Sequence, residues 1–184
     1  MGLLDISGQK LPSRRESTLL LAACVLPVYG WSIFMYFWEV PGWEKYLSAW
    51  DIANILAYVL ALALMESLLL FSVLVLLRVL LPTRMVRDRF VAKATMFVGM
   101  NVLWAILLHL TILSDQILIW TVGRYVLCVA VYLLSMIFSW AFVHFSEFFA
   151  ARIEDLVDRM TVFVYLYVPL GVFSTLTVIA RKFL

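Results

Sequence analysis

Residues 52–77 read IANILAYVLALALMESLLLFSVLVLL, an unbroken apolar run whose single charge is Glu66, followed at once by Arg78 and soon after by the helix-stopping Pro82. At 1.5 Å per residue a helix of that length extends about 39 Å, more than the roughly 30 Å of hydrocarbon in a bilayer. In lipid every backbone amide must be bonded within its own segment, so the run reads as a spanning helix and not as a strand.

Four further stretches have the same character. Residues 17–38 carry no charge, and 94–114 are interrupted by polar Asn101 and His109. Residues 116–146 contain only Arg124, and 160–180 end at Arg181 and Lys182. The expected fold class is therefore all-α, a polytopic transmembrane bundle of five spanning helices forming a single integral membrane domain over 1–184. Composition agrees: 65% of residues are hydrophobic, 14% are charged and the mean hydropathy is +1.03, against about 45–50% apolar and about 25% charged in soluble domains. The first stretch has no small-x-small cleavage pattern and ends in Phe34, Tyr36, Phe37 and Trp38, so it reads as a retained helix and not a signal peptide.

The basic residues orient the bundle. With a cytoplasmic amino terminus, the inner segments collect Lys10, Arg14, Arg15, Arg78, Arg84, Arg87, Arg89, Lys93, Arg152 and Arg159, whereas the outer ones hold Lys45, Arg181 and Lys182. Five spans then put the carboxyl terminus outside. Trp31, Tyr36, Trp38, Trp43, Tyr46, Trp50 and Trp120 cluster toward the outer boundary, where amphipathic rings sit between headgroups and hydrocarbon. Short loops and a clear charge bias fit a bacterial inner (plasma) membrane. The loop from Arg78 to Lys93 would lie against anionic headgroups. In residues 147–160, Phe148, Phe149, Ile153, Leu156, Val157 and Met160 can share one side and Arg152, Asp155, Asp158 and Arg159 the other, an amphipathic pattern that either prolongs the fourth span or lies along the interface.

The chemistry that can be read is sparse. No Gly-rich phosphate loop, HExxH, GxSxG or Cys/His metal spacing occurs, so no catalytic, cofactor-binding or metal-ligating residue is assigned and the chain is not expected to be an enzyme. Cys24 and Cys128 lie in apolar stretches and form no CxxC pair. His109 and His144 fall near opposite ends of their spans, too far apart to hold one haem iron between them. A net charge of +2 does not suggest nucleic acid as a partner.

Three polar residues stand out within the spans: Glu66, Asn101 and Arg124. A carboxylate deep in a span has to be neutral, paired or hydrated, and the expectation is an intramembrane polar cluster of these three in the bundle interior, either an interhelical clamp or a proton- or cation-coupled site. Ala53, Ala57 and Ala61 mark a face of the second span that another helix can approach closely. Pro27 and Pro169 each remove one helical hydrogen bond, freeing the carbonyls of Ala23 and Tyr165, and kink the first and fifth spans.

These readings favour a non-catalytic integral membrane subunit or accessory protein, surrounded by membrane lipids and packed against a membrane-protein partner or further copies of itself. The alternatives are a small transporter or channel built around Glu66, and a haem-carrying or enzymatic membrane subunit. The topology is checked by impermeant labelling of single cysteines placed at Arg87 and Trp43, which are expected to react from opposite sides of the membrane; reaction from one shared side would break the five-span reading.

Overall fold

The computed structural model describes residues 12–80, 89–113 and 122–183. Five helices follow in order: α1 Arg14–Trp43, α2 Ala49–Leu80, α3 Phe90–Leu113, α4 Val122–Phe145 and α5 Glu147–Phe183, with no strand among the described residues. Each is long and apolar enough to cross a membrane, and together they make the all-α five-helix bundle that the apolar runs imply, consistent with an integral membrane protein.

Local chemistry sets the helix ends. Ser13 caps α1 through a capping box: its hydroxyl accepts from the Glu16 amide at 3.3 Å, and the Glu16 carboxylate accepts from the Ser13 amide at 2.7 Å. Ser48 and Asp51 repeat the device at the start of α2, with Asp51 accepting from the Ser48 amide at 3.2 Å and donating its own amide to the Ser48 hydroxyl at 3.3 Å. Ser146 separates α4 from α5, and its hydroxyl accepts from the Phe149 amide at 3.5 Å. Arg89, just before α3, has a φ of 60°, a left-handed conformation that costs a non-glycine residue about 1–2 kcal/mol. An ion pair between Arg89 and Glu147 ties that turn to the first residue of α5.

Helix α1 is the hub. It packs against α2, α5 and α3, while α4 leans chiefly on α3. Leu20 and Cys24 of α1 meet Leu74 of α2 and Phe90, Ala94 and Val98 of α3, whereas Leu19, Ala22 and Ala23 meet Val91 of α3 and Val157 and Val164 of α5. At this end, rich in arginine, Arg78 pairs with Glu16 at 3.1 Å and lies over the Phe90 ring, and Arg15 pairs with Asp158 at 3.3 Å. At the opposite end, rich in tryptophan, the Tyr36 hydroxyl donates to the Ile52 carbonyl at 3.1 Å and Arg181 sits over the Trp50 ring.

Three expectations about packing are corrected. Residues 147–160 prolong neither the fourth span nor a separate surface helix: they are the first part of the 37-residue α5, because Ser146 ends α4 and caps the next helix at once. The side of that segment turned inward is Ala150, Ile153 and Val157, while Phe148, Phe149 and Leu156 are exposed; small and β-branched residues let α5 approach α3, which rings of phenylalanine would hold away. On α2 the inward face is Leu60, Ala61, Ala63, Leu64, Ser67 and Leu74, so of the proposed alanine stripe only Ala61 is buried, and Ala53 is exposed. The segment 114–121, part of the expected fourth span, lies outside the described residues.

Tightest of all is the crossing around Gly171. A β-carbon at Gly171 would fall 2.0 Å from the Tyr29 hydroxyl and 2.9 Å from the Leu64 β-carbon, so glycine is what allows α5 to close on α1 and α2 two residues after Pro169. Tyr29 is fully buried there, its ring stacked on Tyr167 with centroids 5.0 Å apart and its hydroxyl without a hydrogen-bond partner. Gly171→Ala is expected to destabilise the bundle by about 1–3 kcal/mol through overpacking. Tyr29→Phe, which removes an unpartnered buried hydroxyl, is expected to be neutral or stabilising; detergent-denaturation midpoints of the two variants check both.

Candidate functional site

Of the three polar residues singled out within the spans, the structure sets Glu66 and Asn101 apart. Asn101, half-buried on α3, faces α4: its side-chain oxygen accepts from the Tyr132 hydroxyl at 2.8 Å, and its amide nitrogen donates to the Phe97 carbonyl at 2.8 Å and approaches the Met136 sulfur at 4.0 Å. Across the same antiparallel contact, the Trp104 indole donates to the Ser135 hydroxyl at 2.9 Å, and that hydroxyl donates to the Tyr132 carbonyl at 2.7 Å. The Trp104 and Tyr132 rings meet edge to face, 5.8 Å between centroids. Asn101, Trp104, Tyr132 and Ser135 thus form a polar ladder joining α3 to α4, with every polar side-chain group engaged. Tyr132, Trp104 and Ser135 were not anticipated as its members. The signal was present in the matched i, i+3 spacing of Asn101 with Trp104 and of Tyr132 with Ser135, which stacks each pair on one helix face.

Beside the ladder lies a groove of about 430 Å³ between α3 and α4, bounded by Asn101, Trp104, Leu108, Tyr125, Cys128 and Tyr132 and mostly apolar. A second depression of about 350 Å³ opens at the arginine-rich end between the starts of α1 and α3 and the side of α5, and there charged groups prevail: Arg15, Glu16, Arg89, Glu154 and Asp158.

Glu66 is elsewhere. It is the eighteenth of the 32 residues of α2 and is exposed on the outside of the bundle. No hydrogen bond or ion pair links it to Asn101 or to any other described residue, so the expected interior cluster is not assembled by these two. The cause is helical geometry: Ser67, the next residue, is fully buried with its hydroxyl bonded to the Ala63 carbonyl at 2.7 Å, and a rotation of about 100° per residue carries Glu66 off the packed face. Arg124, the third residue of α4, has its side chain outside the described residues.

Around Glu66 the outward face of α2 is ordered in a particular way. Tyr58, Leu62, Met65, Leu69, Ser72 and Leu76 are all exposed, and their alternating steps of four and three are the spacing of a helix–helix seam. Glu66 flanks this stripe at mid-length, one turn from both Leu62 and Leu69.

The histidines take aromatic neighbours. His109 meets the Trp31 ring edge to face at 5.7 Å, and His144 stacks on Trp140 at 5.5 Å. Among the described residues no group of three or more His, Cys, Asp or Glu side chains is arranged to hold a metal ion. Lys93, near the start of α3, is buried with its ammonium 5.3 Å from the Trp140 ring centroid. Comparison with family models, with characterised proteins and with solved structures yields no match.

The ladder has a measurable value. Asn101→Leu is expected to weaken the α3–α4 contact by about 0.6–1.7 kcal/mol, the range of interhelical hydrogen bonds in membranes. Tyr132→Phe is expected to cost a similar amount, and the two together to cost less than their sum because they share one bond; a double-mutant cycle of unfolding free energies checks the coupling.

Proposed function

We propose that this chain is a non-catalytic integral membrane subunit that packs against a partner protein within the bilayer. The observation that supports it is the position of Glu66. A helix facing only lipid gains nothing from a carboxylate at mid-length, and insertion scales put the cost of an acidic side chain at a helix centre near 2.5–3.5 kcal/mol. Glu66 nevertheless stands on the outside of α2, beside a seam-spaced stripe, with no partner among the described residues. A second helix laid along that stripe would take the carboxylate out of hydrocarbon and complete what the chain alone leaves open.

The same observation weighs against an intrachain transport path, since the acid lies on neither of the two concavities described above. The interhelical polar contacts inside the bundle join its own helices: the Asn101 ladder links α3 to α4, and the Tyr36–Ile52 bond links α1 to α2. In this reading the amino terminus is cytoplasmic, the arginine-rich end of the bundle faces the cytoplasm and the carboxyl terminus lies outside, in the plasma membrane of a bacterium.

Photo-crosslinking residues at Leu62, Met65 and Leu69, compared with Phe173 on the exposed side of α5, test the proposal in native membranes. A protein adduct of one defined mass from the α2 positions, co-purifying in fixed stoichiometry and absent from Phe173, is the expected result. Lipid adducts at all four positions would remove the subunit reading, and adducts of this chain with itself alone would favour the oligomeric transporter.

A further inference from the structure

We propose that the partner helix lying along the α2 stripe carries a basic side chain, lysine or arginine, at the depth of Glu66, and that the two close an interhelical ion pair. This rests on the reading of the chain as a partnered membrane subunit and adds the chemistry of the partner.

A carboxylate, where it carries its charge, is an acceptor only, with about four lone-pair sites to fill, and the described residues of α2 offer it no free donor nearby. Leu62, Met65 and Leu69 carry no donor. The two hydroxyls nearest along the helix are already committed to their own backbone, Ser67 to the Ala63 carbonyl at 2.7 Å and Ser72 to the Leu68 carbonyl at 2.7 Å. Tyr58 is eight residues away, about 12 Å along the axis. No described residue supplies the donors, so they are assigned to a helix outside this chain.

A second copy of this chain is a poor source. Its described basic side chains all sit at the ends of the bundle: Arg14, Arg15, Arg78, Arg89, Lys93, Arg152 and Arg159 at one end, Lys45 and Arg181 at the other. A two-fold contact through the stripe would set Glu66 against Glu66, carboxylate opposite carboxylate. Among the described side chains none brings a cation to that depth, so a different chain is the occupant favoured. Between a neutral donor and a cation, the cation is favoured: a serine or asparagine fills lone pairs but leaves the charge in a medium of low dielectric, while a lysine or arginine bonds the carboxylate and cancels its charge, and is itself relieved of an unpaired charge in lipid. Such a pair selects its partner, since any helix without the cation leaves the carboxylate uncompensated.

The test uses the full-length protein reconstituted in phosphatidylcholine vesicles with synthetic oligo-leucine transmembrane peptides that carry lysine, asparagine or no polar residue at their centre, association being read by fluorescence energy transfer. The lysine peptide is expected to bind about tenfold more tightly than the all-leucine peptide. Glu66→Asp should keep that preference and Glu66→Gln should abolish it. Glu66 lies outside the packed core, so Glu66→Gln is expected to retain its helical circular dichroism, measured alongside. Equal binding of the lysine and asparagine peptides would overturn the ion pair in favour of a neutral donor. Unchanged lysine preference in Glu66→Gln would overturn the role of Glu66. Self-association that depends on Glu66 and outcompetes every peptide would assign the stripe to a second copy. The crosslinking experiment remains separate: a native partner adduct without lysine preference leaves the subunit reading intact and removes only the ion pair.

Discussion

The constraint from which the rest follows is that backbone amides and carbonyls have no water to turn to in hydrocarbon and must bond within their own segment. It accounts for a chain of long helices joined at the described connections by very little: residues 44–48 between α1 and α2, and Ser146 alone between α4 and α5. It also explains why serine recurs at helix starts. Ser13, Ser48 and Ser146 each supply an acceptor to an amide that has no partner within its own helix. Hydroxyls within the helices do the reverse. Ser67, Ser72, Thr95, Ser139 and Thr175 all donate to the carbonyl four residues earlier, which hides the polar group without asking anything of a neighbouring helix.

With the backbone satisfied, something else must hold the helices together, because lipid tails are as apolar as leucine and offer no hydrophobic drive for one helix to leave them for another. Close approach takes over that task. The α1, α2 and α5 core closes where Gly171 meets Tyr29 and Leu64, and the α3 and α5 contact closes on Ala92 and Ala150, nearly inaccessible small residues that let backbones come near. Where the helices are bulkier, polar ladders substitute. Helix α4, exposed over most of its length and leaning chiefly on α3, is fastened by the Asn101–Tyr132 and Trp104–Ser135 bonds and by Lys93 over Trp140. The ends are stitched by charge, with Glu16 to Arg78, Arg15 to Asp158 and Arg89 to Glu147 joining segments far apart in the chain.

How much of this was legible in the sequence follows from the same physics. Span number was legible because it depends only on uninterrupted apolar length, and the described residues of the runs at 17–38, 52–77, 94–114 and 160–180 each fall within a helix of the bundle. Which side of each helix packs was not. In water an amphipathic pattern marks the buried face, but here lipid-facing and core-facing positions are both apolar, so Phe148, Phe149 and Leu156 look as good a core as Ala150, Ile153 and Val157. Size decided between them, and size is not visible to hydropathy. The same blindness applied to polar positions: Glu66 and Asn101 both interrupt apolar runs, yet one lies outside the bundle and the other between α3 and α4.

That contrast carries the functional argument further than any motif in the chain. Asn101 is partnered: a tyrosine hydroxyl, a backbone carbonyl and a thioether surround it, and its role ends with α3 and α4. Glu66 has the same kind of position along its helix and none of that company. The rotation of α2 in the bundle buries Ser67, a hydroxyl able to satisfy itself on Ala63, and leaves outside a carboxylate that cannot. A group able to bond only with something beyond its own helix stands where no described residue meets it.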